Sequence, residues 1–213
     1  MQTEPLTSPL SDVEIVARVL AGDRRLYEVV MRRYNQRVFR AVRSILKDDD
    51  EAQDAMQEAY VRAYIHLGEF RAESRLSTWL VRIAVNEALA RLRKSKRTEP
   101  LDEEVEVVSM SRDPEQATSD EQLRVVLEEA VDALPEGFRT VFILRSVEQM
   151  STAEVAEAVG IPEDTVKTRL FRARGLLRET VLARLEDRET TAFQFLRPRC
   201  DRVVATVLAR IQN

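Results

Sequence analysis

An all-α fold of two small helical domains joined by a flexible acidic linker is what the sequence predicts, on three observations. Only five glycines stand among 213 residues and 33% of the chain is charged, a composition that favours long amphipathic helices over strands and turns. Apolar residues recur at steps of three and four, and no segment sustains a period of two. Charge is segregated. Between Arg71 and Arg97 eight Lys or Arg face two acids, Glu73 and Glu87, whereas nine acids and the single Arg112 occupy 98–121. The net charge of −4 therefore averages over two basic surfaces, the second beginning at Lys167 and continuing through Arg169, Arg172, Arg174 and Arg178.

The elements follow in order. Residues 1–10, with Pro5 and Pro9, are expected to form a loose tail. Ser11-x-x-Glu14 reads as a capping box opening a helix near Asp12. Gly22 and Asp23 are expected to close that helix and cap the next, which buries Val30, Tyr34, Val38, Val42 and Ile45. The polar turn 47–50 supplies acids to the positive end of a third helix, whose buried stripe is Ala52, Met56, Ala59, Ala63 and Leu67 and whose end is Gly68. A fourth helix runs from about Ser77 to Arg93. Residues 98–118, with Pro100 and Pro114, read as an irregular linker. Ser119-x-x-Gln122, another capping box, then opens a helix with Leu123, Val126, Leu127, Ala130 and Leu134 at helical spacing. Pro135 suits the first turn of a further helix reaching about Val147. Ser151-x-x-Glu154 caps a short helix through Val159, Gly160-Ile161-Pro162 turns the chain, and a basic helix follows. The domains expected are therefore 11–97 and 119–185, with 186–213 an extension whose role the sequence does not assign.

Several function classes lack their parts. No phosphate-binding glycine loop or metal-ligand cluster is present, the only histidine is His66, and neither an enzyme nor a cofactor, metal or small-molecule substrate is expected. A lone Cys200 cannot make an intrachain disulfide, and no run of 18 apolar residues or secretory signal is seen. A cytoplasmic location without a membrane span is the expectation.

A short capped helix, a glycine-containing turn and a basic helix form the arrangement that lays a recognition helix in the major groove. At about 100° per residue, Val166, Leu170, Ala173 and Leu177 face inward. Asp164, Thr168, Phe171 and Arg172 face outward, flanked by Thr165 and Lys167. Arg172 and Lys167 suit guanine edges, and Thr165 and Thr168 suit phosphate or a thymine methyl. Arg169, Arg174 and Arg178 suit phosphates.

On the fourth helix, Thr78, Trp79, Arg82, Asn86, Arg93 and Lys96 fall within about a third of the circumference. An indole, an amide and several cations together can follow a phosphate backbone and hold an unpaired base. The competing reading makes Trp79 a core aromatic and Asn86 a buried amide. Opposite the buried stripe of the third helix stand Asp54, Glu58, Val61 and Ile65, with Gln57 and Arg62 at the edges. This face suits a protein partner or, equally on periodicity, an internal Glu58–Arg62 pair with the apolar residues packed on the first helix.

Five segments, in order, resemble the extracytoplasmic-function (ECF) sigma factors of the sigma-70 family: Asp54-Ala-Met-Gln57-Glu58-Ala-Tyr60, Phe70-Arg-Ala-Glu-Ser74, Thr78-Trp79-Leu-Val-Arg82-Ile-Ala-Val-Asn86, Leu134-Pro-Glu-Gly-Phe-Arg139, and Thr165-Val-Lys-Thr-Arg-Leu-Phe-Arg-Ala-Arg174. The resemblance implies a non-catalytic subunit that brings core RNA polymerase to promoters, for a stress-responsive regulon, with an anti-sigma factor as a further partner. It implies that Asp54, Gln57, Glu58 and Val61 meet the clamp helices of the β′ subunit. It implies that Phe70, Arg75, Thr78, Trp79, Arg82, Asn86 and Arg93 melt the −10 element and hold its single strand. Thr165, Lys167, Thr168, Arg169, Phe171, Arg172 and Arg174 would read the −35 element near the β flap, and the acidic linker would thread toward the RNA exit channel as a mimic of RNA. Ala72 stands where the family usually has glycine. A sigma-independent helix-turn-helix regulator would explain 151–178 but leave Trp79, Asn86 and the Asp54 face without a task.

Overall fold

The computed structural model describes residues 10–98 and 119–189, and among these every regular element is helical. The N-terminal half supplies α1 (Asp12–Leu20), α2 (Leu26–Leu46), α3 (Asp49–Ile65) and α4 (Leu76–Thr98). The C-terminal half supplies α5 (Ser119–Asp132), α6 (Glu136–Phe142), α7 (Thr152–Val159) and α8 (Glu163–Glu189). Linker residues 99–118 and the extension past 189, with Cys200, lie outside the described residues, as do the side chains of the capping box expected at Ser119.

The expected stripes are buried in the main. Val30, Val38, Val42 and Ile45 of α2 are buried with Tyr34 partly so, and α3 turns Ala52, Ala59 and Ala63 inward, with Ala55 fully buried where Met56 of the expected stripe is only half-buried. Alanines along one stripe let α3 lie close on α2 and α4, which also pack on each other. Of the three expected capping boxes, the two on described side chains close, Ser11–Glu14 and Ser151–Glu154, and Asp48 accepts from the Glu51 amide at 2.8 Å to start α3.

Four boundaries differ from expectation, each for a local reason. Asp23 does not cap α2 with its side chain, which lies 3.4 Å from Arg18. The backbone turns on itself there, Leu26 N donating to Asp23 O at 3.1 Å, and α2 begins at Leu26 without a side-chain cap. The third helix stops at Ile65, and Gly68 sits inside a 3-10 turn, Leu67–Glu69. α4 continues past Arg93 to Thr98, with Lys96 and Arg97 in a last turn whose dipole favours cations. The helix expected to reach Val147 changes to a π turn over Ile143–Val147; the wider turn shifts the direction in which the chain leaves toward α7.

Two helical units are recognisable, α1–α4 and α5–α8, yet they share a core. α6 and the π turn pack on α2, and α7 packs on α4. Val141, Leu144, Val155 and Val166 belong to the same buried cluster as Val38, Val81 and Val85. Arg139 of α6, 2% exposed, donates Nε to the Ser44 carbonyl at 2.7 Å and a terminal nitrogen to the Leu134 carbonyl at 2.9 Å. Ser44 O also accepts from the Thr140 hydroxyl at 3.2 Å. The last carbonyls of a helix have no partner within it and carry the negative end of its dipole; α6 thus caps α2 across the seam. Burial pushes the Arg139 guanidinium below its ordinary value, with Asp132 opposing that shift.

Candidate nucleic-acid interface

The helix-turn-helix is built as the sequence indicates. Ser151 and Glu154 cap α7, Gly160 takes a left-handed φ of 72° at its end, and α8 starts at Glu163. Inward, Val166 and Ala173 are buried and Leu170 packs against the core. Outward stand Lys167, Thr168, Phe171 and Arg172, all exposed, with Phe171 at 80%. An aromatic ring held that far into solvent on a cationic face is chemically suited to an apolar edge such as a thymine methyl. Asp164 orders this face from within: it pairs with Lys167 at 2.9 Å and its carbonyl accepts from Thr168 Oγ1 at 2.8 Å. That pairing raises the Lys167 ammonium above its ordinary value.

Other residues of the set are less free. Thr165 is half-buried. The Arg169 guanidinium lies over α6, so close to Gly137 that a Cβ there would meet it at 2.8 Å. Arg174 lies 3.4 Å from Ser146 Oγ.

The residues singled out on α4 divide by exposure. Asn86, Arg93 and Arg75 are exposed. Trp79 is only 8% exposed and tilts against Phe70 with ring centroids 5.7 Å apart, so the indole takes the core position that its competing reading gave it. Asn86 does not. Ala72, in the loop before α4, adopts a left-handed φ of 56°, the backbone state for which glycine is the ordinary choice.

Cations on α2 and α4 meet carboxylates from the C-terminal half. Arg82 pairs with Glu157 of α7. Lys96 meets Glu136 at 2.8 Å and Arg43 meets Asp132 at 2.9 Å. Arg37 reaches furthest, donating to Glu148 Oε2 at 2.6 Å, to its carbonyl at 2.7 Å and to Ser77 Oγ at 2.8 Å. The Glu148 side chain is 3% exposed, and its other oxygen lacks a hydrogen-bond partner, with Arg40 at 3.7 Å. Burial pushes the Glu154 carboxyl up, but bonds from the Ser151 backbone and hydroxyl and from Thr78, together with nearby Arg75, outweigh it and hold the carboxyl below its ordinary value. From sequence no seam role fell to Arg37, Glu148 or Glu157, and Ser77 and Arg139 entered only as a helix boundary and the end of a resembling segment; 111 residues separate Arg37 from Glu148, and no periodic pattern spans such a gap.

On α3, Asp54, Gln57, Glu58 and Val61 share the solvent face, with Val61 and Ile65 exposed. The internal alternative does not form. Arg62 turns to Glu87 of α4 at 2.9 Å rather than to Glu58. Among the described residues no group of His, Cys, Asp and Glu could hold a metal ion, and no helix is long and apolar enough to cross a membrane.

Known proteins match this arrangement. The profile of Sigma-70 region 2 matches residues 30–98, and that of Sigma-70, region 4 matches residues 124–177. RNA polymerase sigma-H factor of Pseudomonas aeruginosa is 33% identical over 173 residues, covering 76% of this chain and 90% of the relative. ECF RNA polymerase sigma factor SigW of Bacillus subtilis is 32% identical over 174 residues, covering 77% and 93%. Among solved structures, the sigma factor RpoE in complex with the anti-sigma factor NepR from Bartonella quintana superposes with a TM-score of 0.57 at 21% identity, over 73% of this chain and 96% of that one. That last likeness is one of fold.

Proposed function

The chain belongs to the ECF sigma factors of the sigma-70 family, which direct RNA polymerase to promoters, and we propose that three of its helical faces divide this work. The α3 face of Asp54, Gln57, Glu58 and Val61 binds the β′ clamp helices of core polymerase. On α4 and the loop before it, Arg75, Thr78, Arg82, Asn86 and Arg93 hold the −10 single strand above an apolar floor of Phe70 and Trp79. On α8, Lys167, Thr168, Phe171 and Arg172 read the −35 duplex. Thr165, Arg169 and Arg174 position its backbone beside the β flap. Residues 11–97 and 119–185 are the two working domains, and the setting is the cytoplasm, where core polymerase acts.

No catalytic step by this chain is needed. Unstacking and unpairing a base costs a few kcal/mol, which contacts to the freed strand offset. A stress-responsive regulon and an anti-sigma partner extend this reading.

The observation that carries it is the α3 face, where acids and β-branched residues stand in solvent while Arg62 is engaged elsewhere. A duplex-binding regulator has no use for such a face. Glu58→Lys reverses its charge away from the core. We expect the variant to keep its helical content by circular dichroism, to lose association with core polymerase in a pull-down, and to yield no run-off transcript. Retained association would remove α3 from the interface.

A further inference from the structure

Gly137 stands in the first turn of α6, and nothing in its own backbone calls for glycine. Its φ lies outside the left-handed region that Gly22 and Gly160 occupy, and inside a helix glycine is a poorer choice than alanine. What the bare Cα provides is room. A Cβ built there would lie 2.8 Å from a terminal nitrogen of Arg169, 3.1 Å from its Cζ and 3.6 Å from its Nε, so the flat face of the guanidinium rests on the glycine.

The cation draws no charge partner from this place. Glu136, the adjacent carboxylate, is taken by Lys96 at 2.8 Å. No oxygen among the described residues receives a hydrogen bond from the Arg169 guanidinium, and the first turn of a helix is its positive end. Arg169 is nevertheless half-buried, so its fork is held by packing alone. Other cations of α8 stand differently. Lys167 is bound to Asp164 at 2.9 Å, Arg174 lies 3.4 Å from Ser146 Oγ, and Arg172 extends into solvent.

We propose that Gly137 is a positioning residue for promoter recognition: its bare Cα seats the Arg169 guanidinium beside α8, where the unpaired fork receives a phosphate of the upstream duplex. The proposal rests on the assignment of α8 to that duplex. A guanidinium presents its donors in a rigid plane and binds phosphate bidentately. Held flat beforehand, it loses less freedom on contact than a side chain that sweeps solvent. Phosphate contacts carry no sequence themselves but fix the register in which base-reading side chains meet the groove. A methyl group at position 137 leaves Arg169 its charge and removes its seat. The group displaced is the far end of a flexible side chain, so α6 can accept alanine while the guanidinium swings away.

The test uses the full chain as wild type, Gly137→Ala, Arg169→Ala, the double variant, Arg169→Lys and Arg172→Ala. Fluorescence anisotropy reads affinity for a duplex bearing the upstream element and for a random duplex across a series of salt concentrations. Thermal melting by circular dichroism reads the fold. We expect Gly137→Ala to melt no lower than wild type, yet to bind both duplexes about tenfold more weakly, with a salt slope shallower by about 0.9, the value of one phosphate contact. Arg169→Ala should match it, and the double variant should be no weaker than Arg169→Ala, because both changes remove one contact. Arg169→Lys keeps the charge and loses the plane, and should also weaken both duplexes. It leaves Gly137 untouched, so it decides the matter if the alanine variant melts early: weakened binding upholds the seated fork, and wild-type binding overturns it.

Wild-type affinity of Gly137→Ala overturns the proposal, as do additive losses in the double variant, which make Gly137 act apart from Arg169. A loss at unchanged salt slope overturns the phosphate contact. Arg172→Ala separates these failures from failure of the underlying assignment. If it weakens duplex binding while Gly137→Ala does not, only the positioning role falls; if neither variant changes binding, α8 is not the duplex face and both readings fall.

Discussion

A residue in left-handed backbone precedes each of the two helices assigned to DNA: Gly160 at φ 72° before α8, and Ala72 at φ 56° before α4. The turn before α8 uses the residue that takes this conformation without strain, and α8 displays Phe171, Arg172 and Thr168 to solvent. The turn before α4 uses a residue that pays about 1–2 kcal/mol for it. The face α4 presents is engaged in part, with Arg82 paired to Glu157 of α7 and Trp79 buried against Phe70. A helix that reads paired DNA needs no change in the DNA and can stand ready. A helix that holds an extruded base acts only after unpairing, and its apolar groups are costly to leave in water beforehand.

Breaking this comparison at its duplex end should have the largest effect. Arg172→Ala is expected to weaken binding to a duplex bearing the upstream element by about 1–3 kcal/mol if the guanidinium makes a bidentate base contact. Titration against specific and random duplex checks this; an equal loss on both makes Arg172 a phosphate contact.

The two turns permit a paired test of smaller size. No atom lies within 4 Å of a Cβ built at Gly160, so Gly160→Ala meets only the left-handed backbone penalty of about 1–2 kcal/mol, offset in part by about 0.4–1 kcal/mol of lost unfolded-chain entropy, and urea unfolding should show a net loss of about 1 kcal/mol or less. Ala72→Gly should act in the opposite sense. Relief of the left-handed alanine exceeds the added unfolded-chain entropy, about 0.4–1 kcal/mol, and leaves a gain of about 1 kcal/mol or less. Opposite signs support the shared role of the two turns, and a loss at both positions contradicts it.

The parts of the fold that repeat along a helix were legible in the sequence. Val30, Val38, Val42 and Ile45, Ala52, Ala59 and Ala63 of α3, and Val166 with Ala173 were placed by spacing, and the capping boxes at Ser11 and Ser151 by local chemistry. The outward set of α8 followed from the same wheel. On α4 the wheel located one face but could not rank its members: Trp79 and Asn86 lie on it together, yet the indole is buried and the amide exposed. The depth of a side chain depends on what packs across from it, here Phe70. The seam was invisible for the same reason. Arg82 and Glu157 are 75 residues apart, and Arg139 and Ser44 are 95 apart; each looks like an ordinary surface or helix-end residue until a second helix is set against it. Asp23 misled because a backbone turn ahead of α2 took over the start that its side chain was expected to cap.

Asn86 offers the most direct test of the central assignment, because it is exposed and its truncation leaves the buried side of α4 intact. Permanganate reactivity of unpaired thymines should be measured with polymerase carrying Asn86→Ala, on a matched promoter and on the same promoter with a mismatched bubble across the −10 region. If α4 holds an extruded base, the variant should bind core polymerase normally and show weak reactivity on the matched template. The bubble removes most of the unpairing cost and should restore much of the wild-type signal. Wild-type reactivity of the variant on the matched template would contradict the assignment of α4 to the unpaired strand.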